Sequence, residues 1–138
     1  MNRFSVKAIV LGALAMFSLD LLTGIVSIMV FGGGGLRAGA SQDEIKAVAE
    51  LARQSDGYLF TTLVFGTLTT VFGGYVAARV TTQLPLLNAC ALGVVALGTG
   101  ILLSGQNEGP MWLDIVGTIS TVPAAIVGGY LGRRARKR

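Results

Sequence analysis

Asp20 is the residue of this sequence best placed to do chemistry. It lies near the middle of the apolar run 6–31, and it is the one charged residue between Lys7 and Arg37. A carboxylate at the centre of a bilayer costs about 2.5–3.5 kcal/mol on insertion scales, so it should face protein or a wet cavity. Ala13, Met16, Asp20, Thr23 and Ser27 follow a 3-4-3-4 spacing and share one small, polar seam of a helix. At similar depth other apolar runs offer Thr67, Thr69 and Thr70, then Thr99, then Thr118, Ser120 and Thr121. Any of these hydroxyls can satisfy the acid in either protonation state, and no basic residue lies at that depth. Asp20, Thr23, Ser27, Thr70, Thr99 and Thr121 are therefore the candidate ion or proton site. Two readings fit them: the proton-binding carboxylate of a coupled carrier, or a hydrogen-bonded residue that holds helices together.

Other reactive groups are few. Asp114 stands beside Trp112 near the start of the last apolar run. There it can reach water or sit at a helix start, where negative charge is favourable. Pro123 removes a backbone donor within the same run and frees a carbonyl about one turn earlier, near Ile119. Beside Thr118, Ser120 and Thr121 this is polar backbone of the kind found at transporter sites; a plain packing kink has the same signature. The chain has no His, which excludes a His-based metal site, a His general base and a Ser-His-Asp triad. Cys90, the lone cysteine, cannot form an internal disulfide and behaves as a small hydrophobe. No nucleophile–base pair or ligand set falls within the apolar runs. The expectation is a non-enzymatic protein without cofactor or metal.

The elements that position these groups follow from composition. Of 138 residues 52% are hydrophobic and 13% charged, against about 25% charged in a soluble domain. About 20 apolar residues cross a bilayer as a helix, and four stretches qualify: 6–31, 58–80, 84–104 and 111–132. Lys and Arg placement orients them. With the N-terminus inside, Arg3, Lys7, Arg79, Arg133, Arg134, Arg136, Lys137 and Arg138 are cytoplasmic, and Arg37, Lys46 and Arg53 are outside. Tyr58 and Trp112 then open their spans at the outer interface, with Tyr75 and Tyr130 at the inner one. A cleaved signal peptide is the competing reading of the N-terminus, with Ala38-Gly39-Ala40 as its small-residue site. The apolar run is about twice the usual length of ~7–15 residues, which favours a span.

The long outer loop carries its own signals. Gly32-Gly33-Gly34-Gly35 ends a helix and makes a flexible hinge, since each Gly costs about 1 kcal/mol against Ala. Ser41-Gln42-Asp43-Glu44 reads as a capping box. Ile45, Val48, Ala49 and Ala52 recur at helical spacing, so 42–54 is expected to be a short amphipathic helix. It would lie on the outer surface, cap its own bundle, or dock a partner.

The second and fourth spans end alike, in Gly73-Gly74-Tyr75-Val76-Ala77-Ala78-Arg79 and Gly128-Gly129-Tyr130-Leu131-Gly132-Arg133-Arg134. Fainter echoes link the first and third spans: Leu11-Gly12-Ala13 with Leu92-Gly93-Val94, and Thr23-Gly24-Ile25 with Thr99-Gly100-Ile101. Two hairpins related by a parallel duplication are expected. Ladders of small residues run along these spans in the manner of a glycine zipper: Gly66, Thr70, Gly74 and Ala78; Gly117, Thr121, Ala125 and Gly129, with Ala124, Gly128 and Gly132 alongside; and Ala96, Gly100 and Ser104. Such ladders let helices approach closely in lipid, within one chain or between copies.

The GGY-x-A-x-R ending resembles that of small, uncharacterised four-span proteins of the bacterial inner membrane. The resemblance covers the second and fourth span ends. It implies a bacterial inner-membrane location and brings no catalytic residues. The basic run 133–138 is an orientation signal first and a contact for anionic lipid second; nucleic acid is not an expected partner, because no interleaved aromatics accompany it.

The fold class expected is thus an all-α membrane protein. Residues 1–138 form one membrane domain, a four-transmembrane-helix bundle of two parallel-related hairpins with a short amphipathic helix in the outer loop. The expected role is a self-associating or accessory subunit of a membrane complex. The alternative is a small proton- or ion-coupled transporter or channel subunit that acts through Asp20 as a homo-oligomer.

Overall fold

The computed structural model describes residues 4–33, 37–81, 83–104 and 110–136, with the side chains of Leu103 and Ser104 left aside. Arg3, Gly34, Gly35, Lys137, Arg138 and the Ser104 side chain, all invoked above, lie outside what is described. Five helices and no strand are found among the described residues: α1 Val6–Phe31, α2 Gln42–Arg53, α3 Asp56–Val80, α4 Pro85–Ser104 and α5 Met111–Arg136. Helices α1, α3, α4 and α5 are long and apolar enough to cross a membrane.

Local signals account for the helix ends. The Ser5 hydroxyl accepts from the Ala8 N–H at 3.3 Å and starts α1. At its other end the Gly32 N–H donates to the Ile28 carbonyl at 2.8 Å, and Gly33 then turns the chain at a φ of +75°. Only glycine adopts that conformation without penalty. Ser41 starts α2 with a reciprocal pair: its hydroxyl accepts from the Glu44 N–H at 3.3 Å, and the Glu44 carboxylate accepts from the Ser41 N–H at 2.8 Å. Pro85 opens α4, where its missing N–H costs nothing. Helix α5 runs unbroken through Pro123 and continues to Arg136, one turn past the expected 132. Arg133, Arg134 and Arg136 favour that last turn, because cations suit a helix C-terminus.

Helix α3 is central. It packs most extensively on α5, then on α1 and α4, while α5 also packs on α4. Helix α1 touches α4, and among the described residues it does not reach α5. Two ends can be told apart. At one, Phe31 meets Tyr58 edge-on at 6.3 Å, and a Cβ on Gly32 would strike Val48 of α2. At the other, which carries the first and last described residues, the starts of α1 and α4 meet the ends of α3 and α5. These are called here the α2 end and the termini end.

The interior is built of small side chains. Ala8, Ala77, Ala78, Ala89 and Ala125 are fully buried, and the largest fully buried side chains are Leu92 and Asn88. Large apolar groups such as Leu21 and Leu102 face outward, 68% and 78% exposed. That inversion suits a chain solvated by lipid, where close helix contact rather than expulsion of large side chains drives packing. On α1 the division follows the seam. Met16 and Ser27 are buried and Ala13, Asp20 and Thr23 half-buried, whereas Leu14, Leu22 and Val26 are exposed.

The small-residue ladders behave differently at the two ends. Near the termini end they are pressed together. A Cβ on Gly74 would overlap the Ala125 backbone, one on Gly128 would overlap the Val71 carbonyl, and one on Gly132 would lie 2.6 Å from the Tyr75 carbonyl oxygen. Gly129 packs on Ala89, and Ala78 lies beside Gly132. Toward the α2 end a Cβ on Gly66, Gly100 or Gly117 would meet nothing within 4 Å. Helices α3 and α5 are thus tight at the termini end and splayed at the α2 end.

Candidate functional site

Asp20 and its partner come from neighbouring helices. The Thr69 hydroxyl of α3 donates to Asp20 Oδ1 of α1. The same hydroxyl lies 2.9 Å from the Gly66 carbonyl. A hydroxyl has one proton, so the two acceptors share it. Thr23 and Ser27 continue the Asp20 seam along α1 toward the α2 end.

Thr70 follows Thr69 in sequence but points elsewhere, because successive helical residues are turned by about 100°. It lines a cavity of about 350 Å³ enclosed by α3, α4 and α5 on the splayed side. Thr62, Gly66, Thr67 and Thr70 of α3 form one wall, Ala96, Leu97 and Gly100 of α4 another, and Gly117, Thr118, Ser120 and Thr121 of α5 the third. Tyr58, Asp114 and Arg53 also line it, which places its mouth at the α2 end.

Hydrogen bonding decides what the cavity offers. Thr67 donates to the Leu63 carbonyl at 2.8 Å and Thr70 to that of Gly66 at 2.8 Å. Ser120 and Thr121 donate to Gly117 at 3.0 and 2.7 Å. With each proton committed to its own helix, these hydroxyls present lone pairs to the cavity. Among the described residues one carboxylate, Asp114, and one guanidinium, Arg53, line the same space. No ion pair joins them among the described residues, since neither has a partner within the salt-bridge distance.

The six candidate residues therefore fall in separate places. Asp20, Thr23 and Ser27 lie on the α1 seam, with Asp20 joined to α3. Thr70 and Thr121 line the cavity. Thr99 is half-buried on α4, donates to the Val95 carbonyl at 2.9 Å, and is not among the lining residues. Of the packing residues, Gly74, Ala78, Gly128, Gly129 and Gly132 sit in the tight contact, and Gly66, Gly100 and Gly117 border the cavity. Cys90 is half-buried on α4.

Two groupings were not anticipated. Asn88 is fully buried at the termini end. Its Oδ1 accepts from the Ser5 N–H at 2.8 Å, and its Nδ2 donates to the Gln83 and Leu84 carbonyls at 3.0 and 3.1 Å. It ties the start of α1 to the turn before α4. Nearby, Arg136 donates to the Thr81 carbonyl and ties α5 to the end of α3. A lone Asn in an apolar run was a usable signal for the first. The convergence of Arg53 and Asp114 on one cavity had none, because it arises only when α2 and α5 are packed around α3.

In comparison with known proteins, no family model matches the chain, and neither a curated protein nor a solved structure matches it.

Proposed function

We propose that this chain is a non-enzymatic, multi-pass membrane protein that works by association, with copies of itself or as an accessory subunit of a larger membrane complex. The observation that carries this reading is the distribution of its small residues. Inside the chain they bring backbones into contact. Gly24 of α1 and Gly98 of α4 have the same character, yet a Cβ on either would meet nothing within 4 Å. Small residues left uncovered on a lipid-facing helix offer a close-approach surface to another helix. The resemblance to four-span inner-membrane proteins and the basic-residue bias support a bacterial inner-membrane location with both termini cytoplasmic, anionic lipid at the basic tail, and α2 on the outer surface. A parallel duplication is supported by the pairing of α1 with α3 and of α4 with α5 around a central α3–α5 contact; the contact of α3 with α4 has no counterpart between α1 and α5. The test is the mass of the purified protein in detergent and in nanodiscs. A dimer, a higher oligomer or a stoichiometric co-purifying partner is expected, and Gly98→Leu should weaken it. A monomer without partner in both media overturns the reading.

A second reading, a small proton- or ion-coupled transporter or channel subunit, is favoured by the polar cavity on the splayed side. Its Asp20 version is tested by Asp20→Asn in reconstituted vesicles: lost flux supports it, and unchanged flux removes Asp20 from the mechanism. The bond to Thr69 supports the helix-holding role for Asp20 instead.

A further inference from the structure

We propose that the cavity between α3, α4 and α5 is a binding site for a small zwitterion, a molecule carrying an ammonium and an anionic group a few bonds apart. Its volume, about 350 Å³, lies within the range of roughly 300–1,000 Å³ that holds small ligands. Among the described residues its lining carries one charge of each sign. Arg53 ends α2 and Asp114 stands in the first turn of α5, and among the described residues no ion pair neutralises either. A simple cation meets Arg53 at the mouth and a simple anion meets Asp114, whereas a zwitterion satisfies both. The deeper hydroxyls sharpen the choice. Thr67, Thr70 and Thr121 have spent their protons on backbone carbonyls, so they accept from a donor-rich group such as an ammonium. The ammonium therefore enters toward the hydroxyls and Asp114, and the anionic group stays at Arg53, whose planar fork matches a carboxylate or phosphate. Two sources supply this chemistry: a free α-amino acid, and the headgroup of phosphatidylethanolamine. The site stands independently of self-association.

Trp112, the only tryptophan, lies two residues from Asp114 and reports binding by its fluorescence. The protein in detergent is titrated with L-alanine, short-chain phosphatidylethanolamine, ethylamine and acetate. A saturable response to L-alanine or to the lipid is expected, with ethylamine and acetate weaker by about tenfold or more. Arg53→Gln and Asp114→Asn should each weaken the zwitterion by a similar factor, and Asp20→Asn should leave it unchanged. Tighter binding of L-alanine identifies a free solute and tighter binding of the lipid identifies a headgroup; both sustain the proposal. No response to either zwitterion, or a response indifferent to both charge variants, overturns it. Should a charge variant misfold, Thr121→Cys in a Cys90→Ala background is labelled with a water-soluble thiol reagent. Slower labelling with the bound zwitterion supports the site, and unchanged labelling overturns it.

Discussion

The Thr69 hydroxyl donates to the Asp20 carboxyl, so the mid-span acid of α1 is spent on a contact with α3. Interhelical side-chain bonds of this kind are worth about 0.6 kcal/mol on average in membranes and up to about 1.7. Thr69→Val and Asp20→Ala should each destabilise the protein by about that much. The double variant should cost little more than either alone, because both remove one bond. Asp20→Asn keeps an acceptor oxygen and should be nearly neutral. Thermal unfolding in detergent measures all four, and full additivity of the two single changes would show that the residues are not coupled.

The glycine ladders predict a gradient along α3 and α5. Gly128→Ala places a methyl group on the Val71 carbonyl, and Gly74→Ala places one on the Ala125 backbone. Backbone cannot rotate aside, so each should cost at least the ~1–3 kcal/mol typical of overpacking. Gly66→Ala and Gly117→Ala enter open space and should be neutral, or stabilising by up to about 1 kcal/mol through helix propensity. Melting temperatures of the four variants in one detergent test this. Equal losses at both ends would contradict the splayed arrangement.

Asn88 predicts a loss that its size would not suggest. Asn88→Ala leaves the Ser5 N–H without its acceptor and removes the donor to Gln83 and Leu84. Buried polar groups stranded in this way cost about 1–3 kcal/mol. Asn88→Asp keeps the acceptor for Ser5 but loses the amide donor, so it should recover only part of the loss. The readout is hydrogen exchange at the start of α1, which should quicken in Asn88→Ala before global unfolding.

Much of the helical framework was legible because its punctuation is local. The glycine run from Gly32 ends α1 and the Ser41–Glu44 pair starts α2, as expected from the sequence; the Ser5 cap of α1 and Pro85 at the start of α4 are local signals of the same kind that those expectations did not use. The seam through Asp20 was legible too, since 3-4 spacing fixes which side chains share a helix face. Its partner was not. Thr67, Thr69, Thr70 and three hydroxyls of α5 stand at comparable depth, and only the rotation of α3 about its own axis selects Thr69. The cavity was hidden for the same reason. Gly66 and Gly117 repeat the pattern of Gly74 and Gly129, yet the first pair faces open space and the second lies in contact. Periodicity names a face without saying how far away the next helix stands.

Pro123 separates those two regimes on α5. Below it Ala125, Gly128 and Gly132 press on α3, and above it Gly117 stands clear. A proline within a helix removes one backbone bond and crowds the carbonyl four residues earlier, here that of Ile119, a common cause of a bent axis. With the lower half of α5 held by that contact, a bend at Pro123 is expected to direct the upper half away from α3 and to hold the cavity open. Pro123→Ala restores the backbone bond and should let α5 straighten. Two outcomes are expected together: a higher melting temperature, since alanine is the better helix former, and slower labelling of a cysteine placed at Thr121 by a water-soluble thiol reagent. A stabilised variant whose Thr121 position labels as fast as before would show that Pro123 does not keep the cavity open.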